Sequence, residues 1–181
     1  MNLPFQATSL IARNPQWTWQ DFAHRCRQIS QQLRQAHIQT VAFWFDDAAY
    51  FACAMLACFE ADVKILLPPN LLEENRRWVE ENADFLFDDA LFETYGITQT
   101  VANSELRIDK TSQTEIWLKT SGSSGQPKIM KKTAEKMWQE SDAISRSLAI
   151  PSDNNIHVVS SVSAQHHYGL SYRVMLPLTM G

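Results

Sequence analysis

The chain has 181 residues, 45% apolar and 20% charged, with a formal net charge of −4. That length can bury one sizeable core, and the interspersed acids and bases leave no basic stripe for a nucleic-acid partner. The longest apolar run, Ala48 to Phe59, falls short of the roughly 20 residues needed to span a bilayer, and the amino terminus lacks the basic and apolar regions of a signal peptide.

Trp19, Phe22, Cys26, Ile29 and Leu33 recur at helical spacing, which predicts a helix over about 19–36 opened by a capping box of Thr18 and Asp21. His24 and His37, on this helix or at its end, read as surface groups. Val41-Ala42-Phe43-Trp44-Phe45 reads as a buried parallel strand. Asp46 or Asp47 would cap the helix that follows, Ala48 to Glu60; capping accounts for both acids better than a catalytic carboxylate pair does. Val63 to Leu67 is the next strand, stopped by Pro68-Pro69. Leu71 to Asn82 is a helix with Leu71, Leu72, Asn75, Trp78 and Val79 on one face. Phe85-Leu86-Phe87 is a third strand, and about 88–112 reads as a connector.

Further on, Glu115-Ile116-Trp117-Leu118 reads as a strand and Ile129-Met130 as a second short apolar run. Thr133 caps a helix with Met137, Trp138, Ser141, Ile144 and Leu148 on one face. Pro151 to Asn155 is a turn, and Ile156 to Ser160 a strand. Strands alternating with helices predict an α/β fold, a largely parallel sheet flanked by helices. The tryptophans are dispersed through these elements as core residues. Cys26, Cys53 and Cys58 form no C-x-x-C pair and read as buried thiols of a reducing, cytoplasmic setting.

Thr120-Ser121-Gly122-Ser123-Ser124-Gly125-Gln126-Pro127-Lys128 concentrates hydroxyls, glycines and a lysine between two apolar runs. Phosphate oxygens want several donors at once. Gly122 and Gly125 let backbone N–H groups turn toward one point, the hydroxyls rotate to suit, and Lys128 adds a mobile charge. Counting from Gly122 puts Pro127 at the second glycine of a Walker A loop and Ile129 at its Ser/Thr, so that pattern fails. A solvated Ser/Gly linker is the plain alternative, disfavoured by the flanking strands.

The stretch resembles the T-S-G-[ST]-[ST]-G-x-P-K signature of the adenylate-forming superfamily: acyl-CoA synthetases, aryl-CoA ligases and adenylation domains. The resemblance implies a phosphate-binding set of Thr120, Ser121, Gly122, Ser123, Ser124, Gly125 and Lys128. It also implies an acid–thiol ligase that uses ATP and Mg²⁺ to activate a carboxylic acid, with coenzyme A or an acyl carrier protein as thiol acceptor. Gln165-His166-His167-Tyr168-Gly169-Leu170 ahead of Leu176-Pro177-Leu178 resembles the family's second core segment, usually P-x-x-H-x-x-G, with Ser163 here where proline is usual. That likeness implies His166, Tyr168 and Gly169 for the substrate pocket. A metal site of His166 and His167 is disfavoured, because adjacent side chains rarely converge on one ion.

Residues 1–181 then correspond to the N-terminal portion of an AMP-binding domain. The family's later segments, with the adenine-contacting glutamate, the ribose-binding aspartate and the catalytic lysine, do not occur in them. No catalytic residue is therefore assigned. A non-catalytic nucleotide-binding module and a structural fragment stay open as alternatives.

Overall fold

The computed structural model describes residues 5–13, 16–101, 106, 108–120, 127–149 and 157–180. A small antiparallel hairpin, β1 (Leu10–Arg13) and β2 (Gln16–Thr18), precedes α1 (Trp19–Gln35). The capping box forms as expected: Thr18 accepts from the Asp21 N–H while the Asp21 carboxylate accepts from the Thr18 N–H at 3.1 Å. His37 is exposed as expected, whereas His24 is half-buried on α1.

The chain then alternates through β3 (Thr40–Trp44), α2 (Ala48–Ala61), β4 (Lys64–Leu67), α3 (Glu73–Asn82), β5 (Phe85–Asp88) and α4 (Asp89–Thr94). After them come β6 (Glu115–Thr120), β7 (Lys128–Thr133) and α5 (Ala134–Leu148). The main sheet has the order β5-β3-β4-β6-β7, parallel except for the antiparallel β7 at one edge. This is the expected α/β arrangement.

Strand periodicity decides the layers. Val41, Phe43, Ile65, Leu67, Ile116 and Leu118 point into one large core under α1, α2 and α5, whereas Ala42 and Leu66 point to a smaller cluster under α3. Nearly all of α2 is buried, from Phe51 to Phe59, which explains its continuous apolar sequence. Each fully buried Phe or Leu contributes about 1.5–3 kcal/mol to such a core. Cys26, Cys53 and Cys58 are free and buried within it. Burial pushes the Cys26 and Cys58 thiols up, so both stay protonated.

Four expectations need correction. Asp47 alone caps α2, its carboxylate accepting from Ala49 and Tyr50 N–H groups at 2.7 and 2.9 Å. Asp46 instead offers its own N–H to Asp89 at 2.9 Å. Leu71 and Leu72 precede α3 rather than line it, because Asn70 Oδ1 accepts from the Leu72 N–H at 3.0 Å and turns the chain; Leu72 is exposed. The connector contains α4, capped by Asp88 and anchored by buried Phe92, a helix too short to show a period. The strand expected over Ile156 to Ser160 is not formed at 157–160, where Val158 and Val159 are exposed with no ladder partner; Ile156 and the 151–155 turn lie outside the described residues.

A continuous helical stretch follows: α6 (His167–Gly169), a π-helical turn over Leu170–Met175, and α7 (Leu176–Met180). The Leu176 N–H reaches back to the Ser171 carbonyl, one residue further than an α-helix requires. That widening comes just before Pro177, whose ring would otherwise meet the carbonyl of the preceding turn. No helix among the described residues is long and apolar enough to cross a membrane.

Candidate functional site

The parallel strands β3, β4, β5 and β6 end along one edge of the sheet, where ligands of open α/β sheets bind. Three pieces of chain gather there. The first is the hairpin between β6 and β7: Thr120 and Lys128 are register partners, and Thr120 Oγ1 donates to the Lys128 carbonyl at 3.2 Å. Ser121, Gly122, Ser123, Ser124 and Gly125 lie outside the described residues. The strands on either side of the stretch are thus paired in an antiparallel ladder up to Thr120 and Lys128. Lys128 is exposed at the hairpin's mouth.

The second piece is the amino end of α2 with the β5–α4 junction. The Asp89 carboxylate accepts from both Asp46 and Asp47 N–H groups, at 2.9 and 3.1 Å, and so fixes the turn after β3 against the turn after β5. Beneath it Phe43, Phe45, Phe51, Phe87 and Phe92 pack edge-on or tilted, with Phe43 and Phe51 centroids 5.3 Å apart. These rings give the edge a stiff floor.

The third piece is the turn that carries the second constellation. Buried Gln165 donates through Nε2 to the Phe45 carbonyl at 2.6 Å, while its Oε1 accepts from Ser163 Oγ. Arg173 donates to the Val162 and Asp46 carbonyls at 3.2 and 3.3 Å. These bonds pin the turn to the carboxyl end of β3. Arg173 has no sequence signal, and Gln165 stands in the motif only as a flank of His166, because a tie across so much chain leaves no spacing pattern.

On this turn His166 is exposed, its N–H donating to the Ser163 carbonyl at 3.2 Å and its carbonyl accepting from Leu170 at 2.8 Å. Tyr168 is also exposed and stacks on Tyr172 at 5.0 Å between centroids. Gly169 is buried, and a Cβ built on it would lie 1.9 Å from the Ser163 carbonyl oxygen. Its role is to let α6 approach the preceding backbone. His167 points the other way, toward Lys132 of β7 and Glu140 of α5. Burial and the Lys132 ammonium hold its imidazole below the ordinary histidine range, with Glu140 opposing them.

Among the described residues no group of three or more His, Cys, Asp or Glu could hold a metal ion. A cavity of about 360 Å³ bounded by Phe59, Glu60, Asp62, Leu106 and Ile108 lies at the opposite, amino-terminal edge of the sheet, away from the hairpin. Among the described residues the carboxyl edge therefore carries the Thr120 hydroxyl, the Lys128 ammonium and the His166 imidazole beside the Asp89 carboxylate, which the Asp46 and Asp47 N–H groups engage. The hydroxyl, ammonium and imidazole suit an anionic ligand.

No protein-family model and no curated protein matches the chain. Solved structures do. O-succinylbenzoate coenzyme A synthetase (MenE) from Bacillus subtilis, in complex with AMP, matches with a TM-score of 0.69 and 21% identity, over 97% of this chain and 51% of that one. MatB from Rhodopseudomonas palustris matches at 0.66 and 13% identity, over 96% and 41%. The fatty acyl-adenylate ligase from L. pneumophila, in complex with acyl adenylate and pyrophosphate, matches at 0.66 and 17%, over 92% and 33%. The likeness establishes that this chain has the fold of part of each of these proteins. The chain spans about half the length of the first.

Proposed function

We propose that the chain is the N-terminal portion of an adenylate-forming ligase and supplies its polyphosphate-binding loop. The carrying observation is that Thr120 to Lys128, the stretch with the family's signature, closes a hairpin at the carboxyl edge of a sheet with that family's fold. A relative's structure in complex with ATP and magnesium ion supports the choice of ligand.

In this reading the carboxylate oxygen of the substrate forms a bond to the α-phosphorus of ATP. The bond from that phosphorus to the bridging oxygen breaks, and pyrophosphate departs with the electron pair. Negative charge then grows on the departing group. The loop hydroxyls donate to it, Thr120 included once its O–H leaves the Lys128 carbonyl, and Lys128 neutralises it, which stabilises the transition state more than ground-state ATP. Mg²⁺ supplies charge screening where it binds with the phosphates; the described carboxylates of this chain form no set of ligands for it. His166 and Tyr168, exposed on their turn, contact the acyl side, and Gly169 lets that turn approach the Ser163 backbone. A thiol, from coenzyme A or an acyl carrier protein in the cytoplasm, then displaces AMP from the acyl carbon.

A second reading is a nucleotide-binding module that holds polyphosphate without chemistry. Exchange of labelled pyrophosphate into ATP, run with a panel of carboxylic acids on the complete gene product, separates the two. Acid-dependent exchange is expected of a ligase. ATP binding with no exchange for any acid would leave the binding module.

A further inference from the structure

One partly buried cluster joins β7, α5 and α6 through residues that the proposed reaction does not use. Lys132 lies on β7 opposite buried Ile116, so its side chain faces the helices, and it is only 11% exposed. Its Nζ sits 2.5 Å from Glu140 Oε2, 2.7 Å from Glu140 Oε1 and 2.7 Å from His167 Nε2. An ammonium has donors and no acceptor. At that distance His167 Nε2 must therefore be the acceptor, which makes the ring neutral with its proton on Nδ1.

We propose that Lys132 is a positioning residue: paired with Glu140, it holds His167 in the Nδ1–H form and thereby fixes the turn bearing His166 and Tyr168 relative to the strand leaving the 120–128 hairpin. The functional weight of this rests on reading that hairpin and that turn as two sides of one site. The network itself does not.

The geometry favours alignment over simple stabilisation. The turn is already tied to β3 through Gln165 and packed on Ser163 through Gly169, both on its buried side. Among the described residues, Lys132 to His167 is the one side-chain hydrogen bond between β7 and this turn. Lys132 follows Lys128 by four residues on the same strand, a rise of about 13 Å at ~3.3 Å per residue. A shift of the hairpin's base is thus carried along β7 to the residue next to His166. The groups facing the His167 ring are Lys132 from β7 and Glu140 from α5, with His166 and Tyr168 adjoining it on its own segment. Protonation would turn the accepting nitrogen into a donor facing an ammonium, and the bond would be lost.

Nitrogen-resolved NMR of the histidines across pH, on the full chain without ligand, tests this. His167 should show the Nδ1–H form. Lys132→Gln should raise its titration midpoint and Glu140→Gln should lower it, each by at least about 0.5 pH unit, while Lys132→Arg should stay close to the native value. Backbone relaxation at His166 and Tyr168 should show lost order in Lys132→Gln and restored order in Lys132→Arg. An Nε2–H ring, or a midpoint unmoved by Lys132→Gln, overturns the proposal. So does unchanged order at His166 and Tyr168 alongside an altered midpoint, which would reduce the cluster to a local ion pair. If Lys132→Gln fails to fold by circular dichroism, Glu140→Gln carries the same decision. A separate titration with inorganic pyrophosphate judges the hairpin: absence of binding there would sink the phosphate reading and leave the ligand-free measurements to judge the network.

Discussion

Replacing Gly169 by alanine sets two effects of opposite sign against each other. Gly169 has helical angles, φ −65° and ψ −42°, so alanine's intrinsic preference would stabilise the helix by about 1 kcal/mol. Against this, the added Cβ would stand 1.9 Å from the Ser163 carbonyl oxygen, 2.7 Å from its carbon and 3.2 Å from Ala164 Cα. These are backbone atoms, and the two segments must part by roughly 1 Å before the contact is tolerable. The separation would pull on the bond from the His166 N–H to that same carbonyl and on the Gln165 tie to β3. Overpacking of this kind costs about 1–3 kcal/mol, with a further ~1 kcal/mol for a weakened hydrogen bond. The clash wins, and Gly169→Ala should lose about 2 kcal/mol net, a fall in Tm of roughly 4–8 °C for a chain of this size. Thermal and urea unfolding followed by circular dichroism measure it. A variant as stable as the native chain would refute the reasoning, since propensity would then have outweighed the contact.

Two further outcomes follow from the same edge and from the core beneath it. Asp47→Ala removes the acceptor for two N–H groups at the start of α2 and should cost about 1 kcal/mol, whereas Asp46→Ala should change stability by less than about 0.5 kcal/mol; equal losses in urea unfolding would contradict the assignment of the cap. Burial raises the Glu60 carboxyl despite Arg34 and Arg27 nearby. Folding therefore favours its protonated form, a contribution present below the ordinary carboxylate range and lost as pH rises through the raised value. Glu60→Gln should accordingly gain on the native chain as pH rises from the ordinary carboxylate range through the interval above it. A relative loss over that interval, measured by urea unfolding, would show that the Arg34 pair dominates.

The fold was legible where local patterns match tertiary roles. The spacing from Trp19 to Leu33 and the Thr18–Asp21 box mark α1 because its one apolar face is the face that packs. Val41 to Phe43 marks a strand covered on both faces for the same reason. The illegible parts are those set by distant chain. Leu71 and Leu72 have the right spacing for α3, but the Asn70 side chain turns the backbone first. Val158 and Val159 have strand-forming side chains yet find no ladder partner among the described residues. In the candidate site, the signature residues fix where the hairpin is and the structure adds that Thr120 and Lys128 pair at its base. Gln165, Arg173 and the Lys132–Glu140–His167 cluster join residues far apart in sequence, so no local spacing announces them.

Calorimetric titration of the chain with Mg²⁺-pyrophosphate tests the account most directly, run on the native form beside Lys128→Ala and Ser124→Ala. Lys128 is exposed and stabilises no core, so its removal should leave Tm within a degree or two while weakening a saturable, single-site association by about tenfold or more. Ser124→Ala should weaken it less. Native binding unaffected by either substitution, or no binding at all, would contradict the assignment of Thr120 to Lys128 as a polyphosphate-holding hairpin.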